Sequence, residues 1–215
     1  MLNYTIINSG SDGNSVLIEN TMIDIGLPYK KLKPYLYNVT NIFITHKHSD
    51  HLNKSTARKI GEMFPSIKFY ANKEVCLELR KLNIEPIEVE LDVIYENMLG
   101  FDECRFFLAP HNVLCFGVIA KVKGKNIIYV TDSAGTDTWL GKHTKGYEDG
   151  FDYLFIESNH DEVKLRAMAR EKHGFAIINN SQRHASTQES RKFYYLNRRE
   201  RESEWIELHK SSRFY

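Results

Sequence analysis

An α/β fold with two sheets and helices outside both is predicted by three observations. Short strand-like runs come in two batches, each batch is followed by helical segments, and polar ligand-type residues sit where the strands end. The first batch reads as strands at 4–8, 15–19 and 21–25, separated by Ser9-Gly10-Ser11-Asp12-Gly13-Asn14 and by Glu19-Asn20, both rich in turn formers. Helices are expected at 29–36 and 54–64, the second with Asn53 as N-cap and Pro65 as stop. A strand at 67–70 and a helix at 74–82 follow. The second batch comprises 105–109, 115–122 and 126–131, the last two joined by Lys123-Gly124-Lys125 as a tight turn. A further strand at 153–156 precedes a helix at 161–172 that Gly174 ends. Ser158 and Asp161 have capping-box spacing, as do Ser186 and Glu189 at the head of a helix running to about residue 200. Trp205-Ile206-Glu207-Leu208 closes the series as a strand.

The chain of 215 residues suits one continuous domain, 1–215, because it carries no repeat, low-complexity tract or Pro/Ser-rich linker. Lys plus Arg number 29 against 28 Asp plus Glu, and a formal charge of +1 supplies no global field for a polyanion, so any nucleic acid would be held locally. The run Arg198-Arg199-Glu200-Arg201-Glu202 reads as a solvated helix end whose acids cancel much of its field. Met1-Leu2-Asn3-Tyr4-Thr5 has no signal-peptide character and no run approaches a membrane span, which gives the expectation of a soluble, cytoplasmic protein. Cys76, Cys104 and Cys115 are odd in number and lack Cys-x-x-Cys spacing, so they read as reduced packing residues.

The strongest signal is His46-Lys47-His48-Ser49-Asp50-His51, directly after the apolar run Asn41-Ile42-Phe43-Ile44-Thr45. Three imidazoles and a carboxylate within six residues, on a turn where side chains converge, are the ligands a borderline-soft dication prefers. His111, Asp132 and His209 also follow strand-like runs, where an α/β architecture gathers its site residues. Singly, each has an ordinary reading: Asp132 as a turn carboxylate, His111 as a core or loop residue, His209 as part of a terminal segment. With the His46 cluster they make seven donors, enough for two metal ions with positions left for water and substrate. His143 and His173 have no motif around them and read as surface residues.

With these residues in place the chain resembles the metallo-β-lactamase superfamily of hydrolases, whose fold is an αββα four-layer sandwich with a dinuclear metal site along one sheet edge. Matching segments run through nearly the whole length, from 9–14 and Ile23-Asp24-Ile25-Gly26 onward. Within the superfamily it is most similar to the WalJ/YycJ-type phosphodiesterases and nucleases, through Thr131-Asp132-Ser133 and Glu157-Ser158-Asn159-His160-Asp161. The end, His209-Lys210-Ser211-Ser212-Arg213-Phe214-Tyr215, is similar to that of the tRNase Z fold.

The resemblance implies His46, His48 and His111 on one metal, Asp50, His51 and His209 on the other, and Asp132 bridging both. It implies Asp24 as a buried carboxylate supporting the histidine loop, and His184, in Arg183-His184-Ala185-Ser186-Thr187, as the catalytic histidine beside the leaving group, oriented by Glu157. Asp50 and Glu157 belong with His184 to the implied catalytic set, and His160 and Ser186 are candidates for substrate contact. His184 also reads as a neighbour of the helix cap, and His160 as a cap of its own helix. The position just before a helix N-terminus suits a phosphate, because free backbone N–H groups point there. Lys210, where an apolar or aromatic residue is usual, and Pro110-His111-Asn112, without the His-Asp pair common in the WalJ branch, bear on substrate contacts and remove no ligand.

Zinc suits the donors best, and Asp50 and Asp132 leave manganese open. The implied activity is phosphodiester hydrolysis by a metal-activated water, with the substrate a nucleotide or nucleic-acid phosphodiester. His111 and Asp132 are 21 positions apart, too few for the long arm with which tRNase Z enzymes grip tRNA. Small or cyclic nucleotides, as cleaved by anti-Pycsar phosphodiesterases, are preferred slightly over a WalJ-type nuclease. Lactam or thioester hydrolysis and a non-catalytic binding module are further alternatives. The resemblance also allows a homodimer, since such folds often complete a pocket with a partner's loop.

Overall fold

The structure is a computed structural model that describes residues 1–136, 147, 149–168 and 183–211. The chain divides into two compact units, Met1–Phe106 and Phe107–Tyr215. The elements are β1 (Tyr4–Asn8), β2 (Ser15–Ile18), β3 (Thr21–Ile23), α1 (Tyr29–Leu36), β4 (Asn41–Ile44), α2 (Lys54–Met63), β5 (Lys68–Ala71), α3 (Lys73–Arg80), β6 (Ile87–Glu88) and β7 (Ile94–Glu96). They continue with β8 (Glu103–Ala109), β9 (Cys115–Val122), β10 (Lys125–Val130), β11 (Tyr153–Glu157), α4 (Glu162–Met168), α5 (Thr187–Asn197) and β12 (Glu204–Leu208). These strands form two six-stranded sheets, ordered β1-β2-β3-β4-β5-β6 and β12-β11-β10-β9-β8-β7.

In the first unit β3, β4, β5 and β6 run parallel, so β3 and β4 end on the same edge. All four residues of β4 are buried, as expected of a parallel strand covered on both faces. Leu32 and Leu36 of α1, Ala57 and Ile60 of α2, and Val75, Cys76 and Leu79 of α3 join Ile42, Ile44 and Phe69 of the sheet in one core. Asn53 caps α2 as expected, its side chain accepting from Thr56 N at 3.0 Å. The helix at 73–80 is capped by Asn72, which accepts from Glu74 N and Val75 N, a cap the sequence reading passed over.

In the second unit β10, β11 and β12 are parallel, so these three also end together. β9 and β10 form the expected hairpin, with Lys123 at φ 51° and Gly124 at φ 74°, the left-handed pair that a two-residue turn between twisted strands requires. Phe193 of α5 packs with Phe107, Ile128, Leu154 and Ile156 in this unit's core. The expected capping box of Ser186 and Glu189 heads α5. The one expected at Ser158 and Asp161 does not form: Asp161 Oδ1 caps α4 by accepting from Lys164 N at 2.9 Å, and Ser158 Oγ donates to Glu207 Oε1 at 2.9 Å. The helix expected over 161–172 is described to Met168, and Gly174, His143 and His173 lie outside the described residues. The three cysteines are buried and none is in a disulfide. Among the described residues no helix is long and apolar enough to cross a membrane.

Candidate metal centre

The strand ends place the donors. In the first unit the chain leaves β3 at Asp24 with φ 62°, a left-handed conformation that aspartate tolerates better than most residues. The turn aims a fully buried carboxylate at the end of the neighbouring β4. There Asp24 Oδ1 accepts from Thr45 N at 2.8 Å, Thr45 Oγ1 lies 2.9 Å from Oδ2, and His51 Nδ1 lies 2.7 Å from Oδ2. A carboxylate accepts only, so His51 carries its proton on Nδ1 and presents the Nε2 lone pair, the tautomer a metal ligand needs. His51 Nε2 is 2.9 Å from Asn14 Nδ2 and 3.6 Å from Asp50 Oδ2. His46 Nε2 and His48 Nδ1 face one another at 3.1 Å, and the His46 and His51 rings lie 4.1 Å apart.

Backbone bonds stitch this loop to its supports. Asn14 N donates to Asp50 O at 2.7 Å, Ile25 N to His51 O at 2.9 Å, and Gly26 N to Asn14 O at 3.0 Å. Gly26 must lack a side chain, because a Cβ there would lie 1.7 Å from Asp50 O. Thr45 and Asn14 were not singled out from sequence for any role at the site. A hydroxyl residue immediately before His46 and an amide closing the 9–14 turn were the only signals available.

In the second unit Asp132 follows β10 and His209 follows β12, both left-handed at φ 49° and 53°, while Glu157 ends β11 between them. For histidine that conformation costs about 1–2 kcal/mol, and it turns the ring back over the sheet edge. His209 Nδ1 lies 2.9 Å from Asp132 Oδ1 and 2.9 Å from Glu157 Oε1, which fixes its proton on Nδ1 and leaves Nε2 as the donor atom. His184 Nδ1 also meets Glu157 Oε1, at 2.7 Å. Glu157 Oε2 accepts from Ser133 N at 2.7 Å and Ala185 N at 3.3 Å, so one wholly buried carboxylate organises four segments. Burial alone would favour its neutral form, but His184 and His209 hold Glu157 below the usual carboxylate range. Burial likewise opposes a charged His184, and the Glu157 carboxylate outweighs it, raising His184 above the usual imidazole range. Asn159, also not foreseen, donates to His209 O at 2.9 Å.

His111 follows β8 and is half-buried, its ring centroid 6.0 Å from that of His184. His160 is buried, which lowers its basicity, and its carbonyl accepts from Thr187 N at 2.9 Å. Ser186 Oγ accepts from Glu189 N at 3.1 Å and lies 2.9 Å from Glu162 Oε1. Two N–H groups at the head of α5 are therefore taken within the protein, which removes them as the free phosphate donors expected there. Lys210 pairs with Glu207 at 2.9 Å, and residues 212–215 of the terminal motif lie outside the described residues.

Within the second unit Asp132, Glu157, His184 and His209 offer ligand atoms that all lie within 4.8 Å of one another. Of these, Asp132 and His209, whose Nδ1 is fixed by carboxylates, suit a divalent cation, while Glu157 and His184 are engaged with each other as an ion pair.

No protein-family model matches the chain. Among the solved structures that do, three each cover 98% of it: the metallo-β-lactamase fold protein YhfI from Bacillus subtilis (TM-score 0.71, 16% identity, 87% of that chain), human tRNase Z, short form (0.71, 17%, 93%), and Zn2+-bound PqqB from Methylobacterium extorquens (0.70, 13%, 89%). The chain has the metallo-β-lactamase fold. The mixed α/β class with two sheets expected from sequence is thus the fold observed. Among curated proteins, exodeoxyribonuclease WalJ from two strains of Streptococcus pneumoniae is 26% identical over 179 residues, 76% of this chain. This metallo-β-lactamase-fold chain spans 65% of the length of those relatives.

Proposed function

We propose that the chain is a metal-dependent hydrolase of nucleotide phosphodiester bonds, acting on the ends of nucleic-acid strands. The observation that carries this reading is the Asp132–Glu157–His184–His209 cluster, which joins metal donors to a histidine held by a buried carboxylate. The metal assignment is the one the sequence resemblance implies: His46, His48 and His111 for one ion, Asp50, His51 and His209 for the other, Asp132 shared, zinc or manganese as the metal.

Cations held there would supply Lewis acidity toward a phosphate and lower the pKa of a bound water. The protein's own groups do the rest. Glu157 favours the protonated form of His184 and engages its Nδ1 side, so Nε2–H is the proton that would serve a departing alkoxide. Asp24 and Thr45 hold His51 in its donor tautomer. The name of the curated relative, an exodeoxyribonuclease, supports strand ends as substrate.

Hydrolysis of small or cyclic nucleotides is the second reading. It is favoured by the interval from His111 to Asp132, which β9, a two-residue turn and β10 fill with no inserted arm. A panel separates the two: end-labelled single- and double-stranded DNA and RNA, cyclic mono- and dinucleotides, nitrocefin and a glutathione thioester. The proposal expects diester cleavage that a chelator abolishes and zinc or manganese restores. Turnover of the lactam or thioester with every diester untouched would overturn it.

A further inference from the structure

The face of α5 that carries Arg191, Tyr194, Tyr195 and Arg198 lies beside Trp205 of β12 and belongs to no part of the centre described above. Tyr194 and Trp205 stack at 5.9 Å with 19° between their planes, and Tyr195 meets Tyr194 edge-on at 5.2 Å. The Arg191 guanidinium stands 5.5 Å from the Trp205 centroid, and that of Arg198 stands 5.6 Å and 4.9 Å from those of Tyr194 and Tyr195. The platform is fixed at its polar tips: Trp205 Nε1 donates to Ser190 Oγ at 3.1 Å and Tyr194 OH to Ser203 O at 2.7 Å. Its outer edge is open, with Tyr195 59% exposed. Residues 190–199 contain no acid, whereas Glu200, Glu202 and Glu204 lie around a separate polar recess with Lys125 and Asp152. Within the charged run Arg198 is drawn onto rings, while Arg199 pairs with Asp152 at 3.5 Å.

We infer that this arginine–aromatic stack is an auxiliary binding site for single-stranded nucleic acid, a conclusion that rests on the phosphodiesterase reading for its link to turnover. Planar cations seated on rings present N–H groups to phosphates and ring faces to bases, a sequence-tolerant combination that a single strand with splayed bases satisfies. Reach decides the substrate size. From the head of α5, close in sequence to His184, the stack extends from about 6 to 16 Å along the helix axis at 1.5 Å per residue. A single strand of several nucleotides spans His184 and the whole stack, while a cyclic mononucleotide does not.

The test uses a fluorescein-labelled thymidine 12-mer and the metal-loaded full chain, with the small diester bis(p-nitrophenyl) phosphate as control. An Arg191→Gln/Tyr195→Ala/Arg198→Gln variant is expected to bind the 12-mer about tenfold more weakly in anisotropy and to show a shallower salt dependence, with turnover of the small diester unchanged. Single Tyr195→Ala and Arg198→Lys variants, the second keeping charge but not the planar group, each give a smaller loss and guard against misfolding of the triple variant. Equal affinity of wild type and all three variants overturns the inference, and so does competition by polyglutamate as strong as that by unlabelled 12-mer. Wild type that binds the 12-mer through these residues yet cleaves no diester upholds the site and removes the hydrolase reading instead.

Discussion

The histidine loop of the first unit and the carboxylate–histidine cluster of the second are built in different ways. His46, His48, Asp50 and His51 are contiguous and held by partners that are nearly all buried: Asp24, Thr45 and Asn14. Asp132, Glu157, His184 and His209 come from four separate strand or helix ends, and charge holds them together through one carboxylate, Glu157. A contiguous loop depends on its scaffold for shape, whereas a dispersed cluster depends on its central ion pair. The first should fail by losing structure and the second by losing chemistry.

The largest effect follows from breaking the scaffold. Asp24→Ala strands Thr45 N and His51 Nδ1 in a buried position, and leaving such groups unsatisfied costs about 1–3 kcal/mol each. We expect a lowered melting temperature and loss of metal from the loop, measured by calorimetry and elemental analysis; a variant with full stability and full metal content would erase the contrast. Breaking the chemistry comes next. His184→Ala should keep its metal and lose about 10²- to 10⁴-fold in turnover, the range for removing a positioned acid. Asp132→Ala should lower metal occupancy itself, so the two variants, compared by elemental analysis and kinetics, separate a proton donor from a ligand.

Two further tests ask whether ion pairs away from the centre matter. Asp152 is partly buried, which works against its charge, yet Asn126 N at 2.8 Å, Lys125 at 3.1 Å and Arg199 hold it below the usual carboxylate range. Its folded value lies below its unfolded one, so the stability it contributes is present at neutral pH and is lost as pH falls through the folded value. Asp152→Asn should therefore cost about 1–2 kcal/mol near pH 7 in urea denaturation and nothing once the wild-type carboxyl is protonated. Glu78, held down to about 2 by Lys54 and Lys81, follows the same sign, its contribution vanishing only as pH falls toward that value. Its pairs lie near the surface, so Glu78→Gln should cost less than about 1 kcal/mol, and that loss should shrink further in high salt.

How far the sequence could be read follows the same division. The histidine loop was legible because its donors are adjacent and its strand is uniformly apolar. Of its scaffold, Asp24 was legible through the resemblance as the buried carboxylate behind the loop, whereas nothing in residues 14 and 45 marks them as meeting around the same imidazole. Asp132 and His209 were legible as residues that end strands, but their left-handed backbone was not, since neither is glycine. Glu157 was expected to orient His184; that it also grips His209 depends on β11 and β12 running parallel in register, Glu157 opposite Leu208. The cap at Ser158 failed because a tertiary partner, Glu207, took its hydroxyl, and a local motif cannot foresee such competition. The short strands β6 and β7 were missed because two or three residues carry no periodicity.

The proposed centre takes two divalent ions. Elemental analysis of the full chain purified without chelator, followed by zinc and manganese titration and anomalous diffraction, tests it directly. Two ions per chain on the named histidines and aspartates, with occupancy reduced in Asp132→Ala, is the result expected. A chain that binds neither metal at saturation, while correctly folded, would contradict it.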